Sequence, residues 1–398
     1  MTEAKPDTWR RPGAGPGRWH GRVMQVLATS TGGVGAHVVD LTRGLVAGGA
    51  EVTVCGPAVT QQRFDFTGSG AGFIPVEISA GGQPSDARAV AALRRAVEAA
   101  GADLVHAHGL RAGLVAASAR GRDRDPGRPA LVVTLHNAVL TRGVRGATTR
   151  LVERVVVRAA DTVLGASADL VARAESVGAG DARLAPVAAP ELPPPRRTRA
   201  AVRAELRVED GTPLVLSVGR LHPQKGYDVL VAAAAGWRDR HPVPRLVIAG
   251  SGPSYRDLTT RIAASQAPVS LLGHRDDVAE LLLAADLAVV SSVWEARQLF
   301  AQEALRAGVP LVATAVGGLP SLVGDAAVLV PPGNRAALDL AVRQLLDDPA
   351  ARARYARAGR DRAATWPTSA ETLAQVTAVY AELSRPAGGG PAGRAADR

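Results

Sequence analysis

From Arg22 onward, short runs rich in Val and Leu alternate with longer segments in which alanine is interleaved with arginine. Apolar runs of this kind mark the strands of a parallel sheet covered on both faces, and the longer segments fit the crossover helices between them. The pattern predicts strands at 23–28, 51–55, 104–107, 131–135 and 162–165, then at 214–218, 245–249, 269–272, 287–290, 311–313 and 327–329. Two such sets of βα units imply an α/β protein of two doubly wound, Rossmann-like domains. Residues 190–198, P-E-L-P-P-P-R-R-T, are too proline-rich for a helix or a central strand and suit a stiff linker. The expected division is a polar tail at 1–20, an N-terminal domain at 21–195, a C-terminal domain with terminal helices at 196–384, and a Gly/Pro-rich tail at 385–398.

Composition narrows the function classes. At 398 residues and 46% hydrophobic content the chain can supply two cores, built mainly from Val, Leu and Ala because aromatics are only 3%. The net charge of +10 is spread along the chain without an aromatic-interleaved basic patch, which argues against nucleic-acid binding. No run of 18 apolar residues and no apolar signal core is present, and Cys55 is the one cysteine, so a reducing cytoplasm is the expected compartment. Nearly all the positive charge is arginine. Lys225 is therefore conspicuous, since the other lysine, Lys5, lies in the polar tail.

The chemistry-bearing residues gather at predicted strand ends. The stretch from Trp294 to Pro310 sets Glu295 at a strand-helix junction and Glu303 eight residues later, about 12 Å along a helix axis at ~1.5 Å per residue. That separation suits the two ends of a sugar nucleotide, whose vicinal hydroxyls carboxylates accept; the plain alternative is two solvated acids on an amphipathic helix. V-G-R-L-H-P-Q-K-G ends a strand in a Gly219 turn that presents Arg220, with Lys225 at the start of a helix. Two cations beside a helix N-terminus at a strand's carboxyl end suit a diphosphate. Gly250 and Gly252 in A-G-S-G-P, and the later Gly317-Gly318, permit close backbone approach. In the first half, Gly32 and Gly33 lie in a glycine loop that has neither the dinucleotide nor the Walker spacing, which disfavours a dehydrogenase.

Two histidine sites top first-half strands, H-A-H-G at 106–109 and T-L-H-N at 134–137. His106 and His108 share one strand face. A metal needs a third ligand, and no Cys or carboxylate cluster is near in sequence, so hydrogen bonding to a ligand is expected, with His136 the functional candidate. Asp123-Arg-Asp125 is formally D-x-D but reads as a solvated turn. The segment 142–158 sets five arginines among Leu and Val, a basic amphipathic helix suited to peripheral contact with an anionic membrane, or simply a surface helix.

In order and spacing, V-G-R-L-H-P-Q-K-G, A-G-S-G-P, E-A-R-Q-L-F-A-Q-E-A-L-R-A-G-V-P and A-V-G-G-L-P resemble the retaining glycosyltransferases of family four, glycosyl transferases group 1, which have the GT-B fold. The resemblance runs from about Arg22 to Ser384 and is more specific in the second domain. It implies a nucleotide-diphosphate sugar held by the C-terminal domain, a hydroxyl acceptor held mainly by the N-terminal one, a cleft between them, and no metal or other cofactor. By position, Arg220 and Lys225 would grip the diphosphate and stabilise it as it leaves. Glu303 would take the ribose hydroxyls, Glu295 the donor-sugar hydroxyls, and His136 would face the sugar near its anomeric centre. Gly33 would lie in the loop that closes over the site, and the amides of Leu299 and Phe300 would meet the phosphate. Two places depart from the family pattern: Arg297 and Gln298 stand where an aromatic and a glycine are usual, and Ser321 where a glutamate is. They motivate one rival, a degenerate relative that binds sugar nucleotide without turnover; the other rival is a nucleotide-sugar epimerase of the same architecture.

Overall fold

The computed structural model describes residues 19–30, 32–79, 86–120, 128–139, 143–189 and 191–384. Along the chain the first elements are β1 (Arg22–Leu27), α1 (Gly33–Ala47), β2 (Glu51–Gly56), α2 (Ala58–Phe64), β3 (Gly72–Pro75), α3 (Asp86–Ala100), β4 (Leu104–His108), α4 (Leu110–Ala119), β5 (Ala130–Leu135), α5 (Gly143–Ala159), β6 (Thr162–Gly165), α6 (Ala168–Val177) and β7 (Ala182–Leu184). Then come α7 (Arg199–Glu205), β8 (Leu214–Val218), α8 (Tyr227–Ala234), β9 (Arg245–Ala249), α9 (Tyr255–Ser265), β10 (Val269–Gly273), α10 (Val278–Ala284), β11 (Leu287–Val290), α11 (Leu299–Ala307), β12 (Leu311–Thr314), α12 (Leu319–Val323) and β13 (Val328–Val330). Three helices follow: α13 (Arg335–Asp347), α14 (Pro349–Ala364) and α15 (Ser369–Leu383). Every predicted strand is present with ends displaced by at most one residue. β3 and β7 are additional: both are sheet edges with no buried residue, so no apolar run announces them.

The chain divides into two compact units. The first takes its described residues from Arg10–Gly165, Val171–Ala185 and Ser369–Arg398. Its sheet is parallel, in the order β3-β2-β1-β4-β5-β6-β7. Strand order reverses between β1 and β4, so the loops after these strands flank a topological switch point. α15 belongs here, not with the second domain as the sequence suggested. Its Val376, Val379 and Tyr380 complete a core with Val38, Leu41 and Leu45 of α1, and the Tyr380 ring meets Trp19 edge to face at 5.1 Å. Burying each of these large side chains contributes roughly 1.5–3 kcal/mol, enough to recruit a helix from the far end of the chain.

The second unit comprises Ala166–Leu170 and Pro186–Thr368, among its described residues, and so begins ahead of the proline-rich segment expected as the boundary. Its parallel sheet has the order β10-β9-β8-β11-β12-β13, with the switch point between β8 and β11. Leu214, Leu216, Val247, Ala288 and Ala313 face one core, while the intervening Val215, Leu246, Ile248, Val289 and Val312 face another. Strands apolar on both sides produce the continuous runs seen in the sequence.

Candidate active site

At the second unit's switch point, the loop after β8 carries Arg220 and Lys225 and the loop after β11 carries Glu295. These two loops are stitched together. Val293 N donates to Gln224 O at 2.8 Å, Ser291 Oγ to Lys225 O at 2.9 Å, and Gln224 Nε2 to Trp294 O at 3.0 Å. Lys225 Nζ thereby meets Glu295 Oε1 at 2.5 Å, and the same oxygen accepts from Ser292 Oγ at 2.6 Å. Arg220 is exposed, and its guanidinium donates no hydrogen bond among the described residues. His222 between them caps the turn through Gln224 N, and burial with Arg220 and Lys225 holds its imidazole below its usual pKa.

Glycine is required here for backbone packing. Gly226 has φ +62°, and a Cβ on it would stand 2.1 Å from Ser291 O. Added to Gly250 it would lie 1.9 Å from Gly219 O, and on Gly252, 2.3 Å from Leu221 O. Gly317 and Gly318 clamp the acidic loop: each leaves 2.1 Å between such a Cβ and the carbonyl of Glu295 or Ala296, and Gly318 N donates to Glu295 O at 2.9 Å.

α11 starts only at Leu299, so Glu295 lies in the preceding loop and the 12 Å helical spacing does not apply. Leu299 to Glu303 covers about 6 Å of helix axis. Gln298 is the N-cap: its side chain accepts from Ala301 N at 2.6 Å. No turn or side chain engages the Leu299 and Phe300 amides among the described residues, so both point from the helix start with hydrogens to offer. The Glu303 carboxylate accepts no hydrogen bond among the described residues, and burial, opposed by Arg306, lifts its pKa to about 7. The departures have structural partners: Arg297 donates to Val187 O at 3.0 Å and lies over the Trp366 ring, and Ser321 Oγ donates to Gly318 O at 3.1 Å.

In the first unit, Gly32 caps α1 and Gly33 is its first residue, at the switch point beside β1. Because β1, β4 and β5 are neighbours, the strand-end histidines converge. His106 and His108 do share a face, with ring centroids 4.2 Å apart. His108 Nδ1 lies 3.3 Å from His136 Nε2, and His108 Nε2 lies 2.6 Å from Gln25 Oε1. Gln25 Nε2 donates to the Tyr380 hydroxyl at 3.0 Å; that hydroxyl is 2.7 Å from His106 Nδ1, and His106 Nε2 is 2.6 Å from Thr134 Oγ1. His37 of α1, absent from the sequence reading, packs its ring 5.5 Å from His136 and 5.7 Å from His108. Burial keeps all four imidazoles neutral, lowering His37 to about 4 and His106 to about 3, with His108 and His136 well below the ordinary value. Two signals pointed here: a glutamine inside an apolar strand and a histidine on the apolar face of the helix after the glycine loop. Among His, Cys, Asp and Glu of the described residues, His37, His108 and His136 form the one group with ligand geometry for a metal. Asp123, Asp125 and Arg142 lie outside the described residues, as do the tails at 1–18 and 385–398.

The donor-side candidates Arg220, Lys225, Glu295, Leu299, Phe300 and Glu303 thus share the second unit, and His136, Gly32 and Gly33 share the first. Comparison with known proteins matches both halves of the chain. Residues 198–362 match the family model described as glycosyl transferases group 1, and residues 32–190 that of a glycosyl transferase 4-like domain. A glycogen synthase of Mycobacterium tuberculosis is 39% identical over 182 residues, 44% of each chain. A D-inositol 3-phosphate glycosyltransferase of Geodermatophilus obscurus is 31% identical over 399 residues, 90% of this chain and 87% of that one. For the first of the curated relatives, including one from Corynebacterium glutamicum, the match spans about half their own length. Among solved structures, a sucrose-phosphate synthase from Thermosynechococcus elongatus superposes with a TM-score of 0.75 at 23% identity, covering 91% of this chain and 99% of that one. Anabaena HepE in complex with UDP-glucose gives 0.75 at 20% identity, covering 91% and 100%. With both units matched by models of one kind, and a relative aligned over nearly its whole length, the chain belongs to the group 1 glycosyltransferases, family four, with the GT-B fold.

Proposed function

We propose that the protein transfers a sugar from a nucleotide-diphosphate sugar to a hydroxyl acceptor, a glycan, lipid or small molecule, with retention at the anomeric carbon and without a metal ion in the catalytic step. The observation that carries this reading is the Lys225–Glu295 pair held between the β8 and β11 loops, with the free Arg220 guanidinium on the same loop as Lys225. Lys225 has three ammonium protons and Glu295 takes one, leaving donors for phosphate oxygens. Breaking the anomeric bond gathers charge on the diphosphate. Two cations fixed in advance stabilise that charge without reorganising, which is the service a metal would otherwise give. Glu295, anchored by Lys225 and Ser292, keeps its second oxygen for sugar hydroxyls, and the unpartnered Glu303 carboxylate suits ribose hydroxyls.

Retention requires the acceptor hydroxyl to enter on the face the diphosphate leaves. In this reading a departing phosphate oxygen takes its proton and no protein carboxylate serves as base. His136, neutral at pH 7, offers the sugar a hydrogen-bonding group and not a charge. UDP is the first nucleotide to test, because the structural neighbour HepE is seen with UDP-glucose. The decisive experiment is calorimetric titration of the protein with UDP, GDP and ADP, with and without EDTA. The expected result is binding of one of them, unchanged by EDTA. A folded protein that binds none overturns the donor-site assignment.

A further inference from the structure

We propose that His37, His108 and His136 form a binding site for a divalent transition metal that favours imidazole, with Zn2+ as its best fit. The ligands come from three segments that the sheet order makes neighbours: α1 after the glycine loop, the last residue of β4, and the residue following β5. One coordinating nitrogen from each ring lies within 4.8 Å of the other two. The His108 Nδ1 to His136 Nε2 separation is 3.3 Å. Two nitrogens bound tetrahedrally to zinc at about 2.0–2.1 Å stand roughly 3.3–3.4 Å apart, so this pair already has the spacing of a coordination edge. A side-chain adjustment of at most about 1.5 Å brings His37 to the same spacing.

The lone pair of His108 is set up by the surroundings, and His136, whose Nε2–H points at it in the metal-free chain, changes tautomer on coordination. Gln25 donates an amide N–H to the Tyr380 hydroxyl, so its Oε1 accepts from the Nε2–H of His108 and leaves His108 Nδ1 without a proton, facing His136. A metal-bound imidazole generally donates its other N–H to a carbonyl or carboxylate, and Gln25 fills that place. Burial keeps each imidazole neutral, as coordination requires. His37 is 6% exposed and has no hydrogen-bond partner among the described residues, so its ring nitrogens are uncommitted. Asp40, close enough to act on His37, supplies opposite charge. Three histidines leave the fourth position for water or an incoming hydroxyl. One consequence rests on the role given to His136 above: bound zinc withdraws that imidazole from the donor sugar and acts as a reversible inhibitor of a transfer that itself needs no metal.

The full chain, stripped with EDTA and dialysed, is titrated with Zn2+ by calorimetry and with Co2+ by visible absorption. The expected results are one metal per chain, affinity in the micromolar range or tighter, and the intense d–d bands of tetrahedral cobalt. His37→Gln and His108→Gln are each expected to weaken binding on the order of 10-fold or more, as is Gln25→Leu, which removes only the proton acceptor of His108. His241→Gln and His274→Gln are expected to change nothing. Absence of stoichiometric binding by the folded wild-type chain overturns the site, and this readout does not depend on any variant folding. Binding that survives the combined loss of His37 and His108 also overturns it. In a transfer assay zinc is expected to lower turnover and EDTA to restore it; full turnover at saturating zinc overturns the inhibitory consequence. The cobalt spectrum reports the site whether or not the donor reading holds, so the two failures are distinguishable.

Discussion

Glu303 gives the sharpest test of the donor site because its titration falls in an accessible range. Its carboxyl has no hydrogen-bond partner among the described residues, and burial lifts its pKa from 4.5 to about 7 against the pull of Arg306. Only the carboxylate offers both of its oxygens as hydrogen-bond acceptors to the two hydroxyls of a ribose. With a pKa of about 7, the ionised fraction is roughly one-tenth at pH 6, one-half at pH 7 and nine-tenths at pH 8. Affinity for a nucleotide sugar is therefore expected to rise about tenfold from pH 6 to pH 8. The nucleotide sugar is the right probe, since its pyrophosphate diester does not titrate there, whereas the terminal phosphate of a free nucleotide diphosphate does. The buried histidines, all with lowered pKa, stay neutral across the interval. Stability moves in the opposite sense. Between about pH 4.5 and 7 the folded state keeps a proton that the unfolded state releases, so the stability contributed by this proton is complete below pH 4.5 and lost as pH rises through 7. At ~1.4 kcal/mol per factor of ten, the loss is on the order of 3 kcal/mol. Glu303→Gln is thus expected to unfold at higher denaturant than wild type at pH 8 while binding the nucleotide sugar more weakly, with no pH dependence. Calorimetry at pH 6, 7 and 8 and urea unfolding at pH 8 make the check. A flat wild-type profile, or a tenfold rise that persists in Glu303→Gln, refutes the ribose assignment.

Lys225→Ala is expected to lower turnover by on the order of 100-fold, the scale for removing one preorganised anion-stabilising donor; a radiolabelled transfer assay showing wild-type rates would dismiss its role at the diphosphate. Gly226→Ala places a Cβ 2.1 Å from Ser291 O at φ +62° and should destabilise the protein by at least about 2 kcal/mol, read by urea unfolding, and weaken nucleotide binding as the Lys225 turn shifts. An unchanged unfolding midpoint would show that the two loops are not packed as described. On α5, Leu151 and Val155 are exposed beside Arg150 and Arg154, so sedimentation with vesicles is expected to depend on anionic lipid; equal recovery with neutral vesicles would leave α5 an ordinary surface helix.

The two sheets were legible because their strands are apolar on both faces, as at 214–218, where successive residues enter different cores. The edge strands β3 and β7 lack buried residues and gave no signal. The histidine cluster was half legible. Each of His106, His108 and His136 stood at a strand end, but their meeting with His37, Gln25 and Tyr380 depends on β1, β4 and β5 being adjacent and on α15 returning to the first unit, and neither fact leaves a periodicity in the chain. Gln25 was the available clue, since a polar side chain with no exposure must find partners among whatever the fold brings near. The glycines teach a different lesson. At Gly250, Gly252, Gly317 and Gly318 the sequence signal of close backbone approach was sound, but the backbone that approaches is that of neighbouring loops. Those contacts hold together the loops that carry Lys225 and Glu295. A ligand bound there would meet a surface whose shape the glycines set at one remove, so a substitution at Gly250 should disturb donor affinity through loop displacement even if no atom of Gly250 touches the donor.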